Sequence, residues 1–390
     1  MNTFRCNTSS ARMLTLKTVA LAAAISASSV AMAAENYNQR YAPGIGGSDM
    51  STPVQPGLYG QVAMLAYHAS KLKGNDGGDM YRETPIPVAA ITAVNAGLGG
   101  VLGATVGATG SIPARYKTDL NVDIETILPR ITFISATKFL GGNVGFTAML
   151  PLMRQKITPT ASNVSLPTAA AALSPLGAGA GAAAAGLTAA LAPSVIAGVA
   201  DKDSTYAGIG DLEVAPLVHW EIGDHQTVSA AATVILPTGE FKADRKANSG
   251  FGNFYTFRPS VQYAFIGDGW DLSGRMVLSF NTRNKDSDYR TGNILNIDWA
   301  AMKFVSEDVR VGLQGYMVKQ FTKDSSGDAT EAANIALAGG NKMQVYAAGP
   351  AVAWLKNGGE FLLEGKFLQE FSAKNRTEGQ TFWLTLSKPL

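Results

Sequence analysis

The stretch GWDLSGRMVLSFNTRNKDSDYRTGNILNIDWAAMKFV, residues 269–305, decides the fold. Apolar and polar positions alternate through its first part. The apolar positions are Trp270, Leu272, Gly274, Met276, Leu278 and Phe280, and the alternate ones are Asp271, Ser273, Arg275, Val277, Ser279 and Asn281. A period of two is typical of a β-strand, in which successive side chains point to opposite faces. The stretch therefore predicts two strands joined by an ordered, charged loop over residues 284–291.

Twelve candidate strands follow residue 57, and several repeat this alternation with charge on the polar face. Their approximate ranges are 58–68, 115–128, 143–156, 206–221, 226–237, 253–266, 269–282, 293–305, 309–321, 342–355, 360–371 and 379–388. Such strands suit a β-sandwich, with its apolar face in a dry core. They also suit a membrane barrel, with its apolar face on lipid and its polar face on a lumen.

The lengths of the connections favour the barrel. Connections after even-numbered candidate strands are short, as at 267–268, whereas those after odd-numbered strands are longer. Outer-membrane barrels alternate short periplasmic turns with long external loops, and a sandwich has no reason to do so. We therefore predict an all-β fold, a transmembrane antiparallel up-and-down β-barrel of about 12 strands over residues 58–390. Its long external loops are 69–114 and 157–205, and both termini lie in the periplasm.

The N-terminus predicts export. Residues 1–33 combine basic residues, a short Ala-rich apolar run and an A-x-A site, which is the layout of a cleaved secretory signal peptide. The single cysteine, Cys6, lies within it. Removing its three positive charges changes the net charge from +2 to −1, because +2 − 3 = −1. A chain without basic bias is not expected to bind nucleic acid. Residues 34–57 are polar and predict a flexible periplasmic arm.

Two long connections are unusually apolar. Residues 86–114 and 159–200 are rich in Ala, Gly and Leu, although both fall in predicted external loops. We expect them to fold over or into the barrel mouth, because large exposed apolar surfaces need a partner. A transmembrane helix pair and low-complexity sequence remain alternatives.

The strand phases also predict which side chains line the lumen and which lie at the membrane interface. Ten charged residues are placed inward: Asp123, Glu125, Asp211, Glu213, Arg258, Arg275, Asp298, Arg310, Glu364 and Lys366. Three tryptophans at the short-turn ends of strands, Trp220, Trp270 and Trp354, predict an aromatic belt. Counting from the short turns places Arg275 and Asp298 at similar depth on adjacent strands.

Motifs for catalysis or metal binding are weak. No nucleophile-elbow sequence accompanies His68, and no phosphate-binding loop is present. His219 and His225 flank a short turn, where interface or turn histidines are favoured over a metal site. Residues 324–328 (DSSGD) fit a solvated loop better than a calcium site. We predict no enzyme activity, no catalytic residues, no metal and no cofactor.

The C-terminal half resembles the family of outer-membrane transporters associated with the meta-pathway of phenol degradation. The residues that carry the resemblance are Gly210-Asp211-Leu212 with Pro216, Pro237-Thr238-Gly239, Asn248-x-Gly250 with Asn253, Phe257-x-Pro259, Gly269-Trp270, Phe280-Asn281-x-x-Asn284, Asp288-Tyr289-x-x-Gly292, Gly312-x-x-Gly315-Tyr316 and Gln320. The resemblance covers about residues 208–390. It implies a β-barrel that handles aromatic or other hydrophobic small molecules, and it supplies no catalytic residues.

These observations lead to one functional hypothesis and one alternative. The hypothesis is an outer-membrane channel for passive uptake of small hydrophobic or aromatic compounds, with membrane lipid and those solutes as its partners. Its support is the charged lumen together with the apolar loops. The alternative is a closed structural or binding barrel that presents its apolar loops to lipid or protein without transport.

Overall fold

The computed structural model describes residues 39–52, 54–200, 204–242, 245–356 and 359–390. The predicted signal peptide, 1–33, lies outside the described residues. The described chain forms two compact units. The helical unit contains residues 79–119 and 158–200, and the barrel unit contains 39–78, 120–157 and 204–390.

The secondary structure is mostly β, with helices in two regions. The strands are β1 (Gly57–Lys73), β2 (Tyr81–Pro87), β3 (Ser111–Phe139), β4 (Gly142–Met149), β5 (Leu152–Ser165), β6 (Ser204–Ile209), β7 (Leu212–Ile222), β8 (Gln226–Leu236), β9 (Thr256–Gly267), β10 (Trp270–Asn281), β11 (Tyr289–Arg290), β12 (Ile294–Phe304), β13 (Val309–Gln320), β14 (Ser325–Ser326), β15 (Gln344–Lys356), β16 (Phe361–Lys374) and β17 (Arg376–Pro389). The α-helices are α1 (Val88–Val94), α2 (Ala96–Val106), α3 (Ala169–Ala172), α4 (Ala180–Ala200) and α5 (Ala329–Leu337).

Twelve strands of the barrel unit close into one antiparallel barrel. Around the barrel their order is β1-β17-β16-β15-β13-β12-β10-β9-β8-β7-β4-β3. Strand β1 then pairs with β3, from Gly57↔Ile134 to Ala69↔Val122, and completes the ring. Closure leaves no open edge, as a sheet in lipid requires. The predicted fold is confirmed, including the strand number.

Strands β5 and β6 pair with each other, from Leu152↔Ile209 to Ile157↔Ser204. They extend the adjacent β4–β7 pair beyond Leu150-Pro151 on one side and Gly210-Asp211 on the other. The backbone N–H of Gly210 donates to the carbonyl of Pro151 at 2.7 Å and keeps the two extensions in register.

The opening hairpin has the predicted phase. Trp270, Leu272 and Met276 are exposed on the outside of the barrel, whereas Asp271 is fully buried inside. The register pairs Arg275 of β10 directly with Asp298 of β12. Beyond the hairpin, Tyr289↔Ser326 and Arg290↔Ser325 form a small second sheet, so the charged loop is ordered. An apolar outer face and a polar inner face are the distribution expected of a membrane-spanning barrel.

The helical unit has a hydrophobic core of its own. Strand β2 pairs with the first residues of β3, from Tyr81↔Lys117 to Pro87↔Ser111. The Asn95 side chain accepts from the Leu98 N–H and caps α2. The core is formed by residues of both apolar connections, among them Ile86, Ile91, Leu102, Leu173, Leu187 and Leu191. The apolar sequence of these connections is therefore explained in part by burial within the unit they form.

The length of the helices bears on the transmembrane alternative. Helices α1 and α2 have 7 and 11 residues and are too short to span lipid, which takes about 20 residues. Residues 174–200 are long and apolar enough by length and composition. Leu187, Leu191 and Val195 of this stretch are buried in the core of the helical unit.

Candidate functional site

The lumen of the barrel contains residues 39–52, here called the lumen segment. Asp298 of β12 anchors its middle and accepts three hydrogen bonds. The donors are the Tyr41 hydroxyl at 2.5 Å and the backbone N–H groups of Gly44 and Gly46, each at 2.9 Å. A carboxylate that accepts two or three such bonds is well satisfied, although it is fully buried.

Strands β13 and β16 hold the next residues of the segment. The Ser48 N–H donates to Glu364 at 2.7 Å, Lys366 Nζ donates to the Gly46 carbonyl at 2.8 Å, and Arg310 donates to the Ser48 carbonyl at 3.2 Å. These contacts differ from the expectation of a flexible periplasmic arm over residues 34–57. Buried backbone groups need partners, and here charged wall side chains supply them.

Glycines let this backbone approach the wall so closely. A Cβ atom at Gly47 would overlap Glu364 Oε1 and would lie 2.7 Å from Lys366 Nζ. A Cβ atom at Gly46 would lie 2.9 Å from Asp298 Oδ2. Only glycine leaves room for the N–H groups to reach the carboxylates.

The two ends of the segment lie at opposite ends of the barrel. Arg40 forms an ion pair with Asp211 at 2.9 Å, and its guanidinium lies 3.8 Å from the centre of the Phe254 ring. Asp211 and Phe254 lie at the long-loop end, whereas Gly57, where the segment joins β1, lies at the short-turn end. The described part of the segment therefore runs from the long-loop end, at Gln39, to the short-turn end. The predicted N-terminus of the mature chain lies outside the described residues. The Leu390 N–H donates to the Leu58 carbonyl at the short-turn end.

Further ion pairs stabilise the side of the lumen that holds the segment, here called the anchoring wall (β10, β12, β13 and β16). Arg310 and Asp271 pair at 2.7 Å with both side chains fully buried. Glu364 and Lys366 pair at 3.2 Å, and Gln314 bonds to both of them. Buried charges persist only when they are paired and hydrogen-bonded, so this wall is a connected polar network.

Asp49 links the lumen segment to two arginines on either side of it. Its carboxylate lies 2.9 Å from Arg130 of β3 and 3.5 Å from Arg275 of β10. Burial alone would raise the pKa of Asp49, but the charges of Arg275, Arg130 and Lys366 outweigh burial and hold the pKa well below its usual range.

A cavity of about 360 Å³ lies beside the segment. We call the surface opposite the anchoring wall the cavity wall (β3, β4, β7 and β8). Its lining is mainly apolar or small: Val122, Ile124, Thr126, Leu128, Arg130, Thr132, Ile134, Thr147, Met149, Glu213, Val214, Ala215, Leu217, His219, Ser229, Ala230, Ala231, Thr233 and Ile235. The lining also includes Tyr59, near the short turns, and Phe251, near the long loops. The cavity thus follows the barrel axis.

Eight of the ten charged residues predicted to line the lumen point into it. Asp211, Glu213, Arg258 and Arg275 line the cavity, whereas Asp298, Arg310, Glu364 and Lys366 are buried against the lumen segment. Arg258 pairs with Glu213 at 2.7 Å. The interior is therefore divided into a filled half and a partly open half.

The prediction is wrong for Asp123 and Glu125. Their side chains are 51% and 64% exposed and form pairs on the outside with His68 and Arg154, at 2.7 and 3.2 Å. The inward positions of β3 are their neighbours, such as Ile124. The outer face of β3 becomes apolar only at Ile127, because the strand continues past the apolar band. In the part of β3 that precedes Ile127, the charged side chains therefore point to the outside of the barrel.

The tryptophans of the predicted belt lie at strand ends. Trp270 and Trp354 are about two-fifths exposed. Trp354 packs edge-on against Phe361 at 5.1 Å, and the Trp220 indole donates to the Leu140 carbonyl at 3.0 Å. An aromatic belt at the short-turn interface remains our proposal for these three residues.

The weaker candidate sites have local structural partners. His219 Nδ1 lies 2.8 Å from Ser229 Oγ, and His225 Nδ1 lies 2.8 Å from the Ile266 carbonyl. Asp324 accepts from the Gly292 N–H at 2.7 Å and bonds to the Tyr289 hydroxyl, which fastens two loops together. Within the described ranges, no group of three or more His, Cys, Asp or Glu side chains is arranged to hold a metal ion.

Sequence reasoning missed several lumen residues, among them Tyr41, Asp49 and Arg130. Arg130 lies outside the predicted strand 115–128, whereas the observed strand β3 continues to Phe139. The run Gly44-Ile45-Gly46-Gly47 was the available signal for the lumen segment, since clustered glycines often mark close backbone approach.

Comparisons with known proteins agree with this architecture. Residues 102–386 match the model of a family described as "Putative MetA-pathway of phenol degradation". Among solved structures, an outer membrane channel from Pseudomonas putida F1 superposes with a TM-score of 0.55 at 10% identity, covering 87% of this chain and 98% of that chain. At that identity the likeness shows the fold alone.

Two further structures give lower scores. A Pseudomonas aeruginosa FadL homologue has a TM-score of 0.35 at 9% identity, covering 85% of this chain and 90% of that chain. The CymD monoaromatic hydrocarbon channel has a TM-score of 0.34 at 8% identity, covering 89% and 94%. A search of curated proteins finds no match to the sequence.

Proposed function

The chain belongs to the family described as "Putative MetA-pathway of phenol degradation", and on that premise we propose that it is an outer-membrane channel for passive uptake of small hydrophobic or aromatic compounds. The short-turn end then faces the periplasm and the long-loop end faces the exterior. No step of this function requires catalysis, a cofactor or a metal.

The cavity beside the lumen segment carries the proposal. The segment is bonded mainly to the anchoring wall, which leaves space along β3, β4, β7 and β8. Apolar side chains such as Leu128, Met149 and Leu217 favour an apolar solute there, because contact between apolar surfaces removes both from water and lowers the free energy. A volume of about 360 Å³ is within the range of small-molecule sites.

Passive flow is consistent with these contacts. Conduction requires a solute to bind well enough to enter and weakly enough to leave. The cavity wall offers a broad apolar surface with scattered hydroxyl groups, such as Thr132 and Thr147, which bond to each other at 2.9 Å. Such a lining slows an aromatic solute without trapping it.

Reconstitution tests the proposal. The purified full chain is placed in liposomes, and entry of radiolabelled phenol, toluene and glucose is compared with that in empty liposomes. We expect aromatic solutes to enter faster than in empty liposomes and glucose to show little gain. Absence of any protein-dependent entry, in protein whose gel migration shifts on heating as a folded barrel's does, would overturn the proposal.

The lumen segment favours a second candidate, a closed barrel that does not transport. Its contacts with Asp298, Glu364 and Lys366 fill half of the bore. Planar-bilayer recordings separate the two candidates. The channel hypothesis expects a small current in the intact protein. The closed-barrel hypothesis expects no current until residues 39–52 are removed.

A further inference from the structure

We propose that Arg130 is a carboxylate-binding residue in the lumen and that the cavity beside it accepts small aromatic acids. This inference rests on the proposed channel function, since it names a substrate class for the same cavity. It follows from the unequal pairing of the lumen arginines and from the groups that surround Arg130.

The Arg130 guanidinium has donors to spare. A guanidinium has five N–H groups. Within the described chain, that of Arg130 donates from Nη2 to Asp49 Oδ2 at 2.9 Å, and its Nε is buried without a partner. Arg275 by contrast donates twice to Gln262 Oε1, at 3.0 and 2.8 Å. Arg40, Arg258 and Arg310 also have a buried Nε without a partner, so Arg130 is distinguished by its shared carboxylate and its exposure. An under-bonded, exposed guanidinium beside a cavity is a site for an additional acceptor.

Asp49 cannot meet this need alone. Its Oδ1 accepts from the Gly47 N–H at 2.8 Å. Its Oδ2 is shared by Arg130, Gln61 at 3.3 Å and Arg275 at 3.5 Å. One carboxylate therefore serves two guanidinium groups. Arg275 also lies opposite Asp298 in the strand register, whereas Arg130 forms no ion pair besides that with Asp49 among the described residues.

The other buried arginines of the lumen each have a carboxylate of their own. The pairs are Arg40–Asp211, Arg258–Glu213, Arg310–Asp271 and Arg376–Glu370. The arginine side chains of these pairs are 0–11% exposed, whereas that of Arg130 is 23% exposed. The arginine that shares its only carboxylate is thus also the most exposed of these arginines.

Apolar groups beside Arg130 suit an aromatic ring. The register places Arg130 opposite Met149 of β4, and Leu128 is the next inward residue of β3. A methionine sulfur packs well against an aromatic ring. A carboxylate on Arg130 would leave its ring against Met149 and Leu128.

The geometry of the partners favours a carboxylate over a simple hydroxyl. Two N–H groups of an arginine match the two oxygens of a carboxylate, and such charge-assisted bonds are the stronger ones. Asp49 competes for the same guanidinium, which keeps the interaction weak enough for release.

Calorimetric titration of the detergent-solubilised full chain tests this inference. The probes are sodium benzoate and benzyl alcohol, which share a ring and differ in the carboxylate. We expect Arg130→Gln to weaken benzoate binding about tenfold and to leave benzyl alcohol binding unchanged. Arg130→Lys keeps the positive charge but loses the paired N–H groups of the guanidinium. Its affinity for benzoate should lie between those of the parent and of Arg130→Gln. Arg154→Gln is the matched control, because Arg154 lies outside the lumen on the adjacent strand.

Salt gives a second readout. Benzoate binding should weaken as KCl rises, whereas benzyl alcohol binding should not, because only the charged probe is screened. Equal benzoate affinity in the parent and in Arg130→Gln would overturn the inference, as would absence of benzoate binding to the parent. Binding does not require conduction, so failure of the liposome assay alone would count against the proposed channel and not against Arg130.

Discussion

The anchoring wall and the cavity wall are built from the same strand pattern but have opposite interiors. Along β10, β12, β13 and β16, inward charges such as Asp298 and Glu364 bond to the lumen segment. Along β3, β4, β7 and β8, small or apolar side chains such as Ala231 and Leu217 face empty space. One barrel thus combines a wall that binds the lumen segment with a wall that lines an open cavity. Within the apolar band of the barrel, the difference lies in the inward set of residues, because the outward set there is apolar on both walls.

The largest expected effect comes from preventing the segment from docking. Gly47→Val places a side chain in the space that Glu364 Oε1 occupies, and even its Cβ atom would overlap that oxygen. The segment must then leave the anchoring wall, since packed interiors do not yield to such an overlap. We expect single-channel conductance in planar bilayers to rise severalfold.

The control for this substitution lies on the same wall. Gly365→Val changes the neighbouring strand β16 at a position where a Cβ atom would meet nothing within 4 Å. Its conductance should equal that of the parent. If both variants behave alike, the segment does not limit conduction.

The next effect comes from removing the central acceptor of the anchoring wall. Asp298→Ala deletes the partner of Tyr41, Gly44 and Gly46. Loss of one partner of a buried charged network costs about 3–5 kcal/mol. Tyr41→Phe removes a single bond to the carboxylate, worth about 1.5–3 kcal/mol.

Maleimide labelling measures both changes. Ser48 is fully buried, and Ser48→Cys therefore reports the departure of the segment. Since 1.4 kcal/mol is a factor of ten, labelling should accelerate roughly 100-fold or more with Asp298→Ala and roughly tenfold with Tyr41→Phe. Unchanged labelling in the alanine variant would show that Asp298 does not hold the segment.

The alternating pattern predicted the strands of the barrel well, but it did not predict the segment that lies in the lumen. Strand number, closure and the Arg275–Asp298 register follow from local periodicity and turn length. Many partners of the lumen segment lie far away in the sequence, as with Tyr41 and Asp298, which are 257 residues apart, and no local pattern encodes them. On β3 the alternation was correct but its direction was inverted, because Asp123 lies beyond the apolar band where the outside of the strand is polar.

A smaller effect is expected from filling the cavity wall. Ala231→Phe adds a ring to the cavity lining between strands that keep their pairing. Entry of phenol into liposomes should fall severalfold, and Ser48→Cys labelling should not change. Ala232→Phe is the matched control, because the next residue of a strand points to the other face. If phenol enters equally fast with both variants, its path through the barrel does not follow the cavity wall.

The smallest effect is expected from acid. The pKa of Asp49 is held low in the folded protein, so its contribution to stability is fully present above the pKa of an unfolded Asp, about 3.9, and is lost only as the pH falls through the lower folded value. Asp49 should therefore cause no change in conductance from pH 8 to pH 5. An increase in conductance between pH 6 and pH 5 that is lost in Asp49→Asn would show that Asp49 is not held as its contacts imply.

The covalent link between the lumen segment and β1 determines how strongly the segment competes with other molecules for the anchoring wall. Residues 39–52 are joined through Gly57 to the barrel that binds them. A short flexible link gives an effective local concentration in the millimolar range. A synthetic peptide of the same sequence would have to be supplied at comparable concentration to replace it. Any solute that displaces the segment therefore works against rapid intramolecular return, which makes each opening brief.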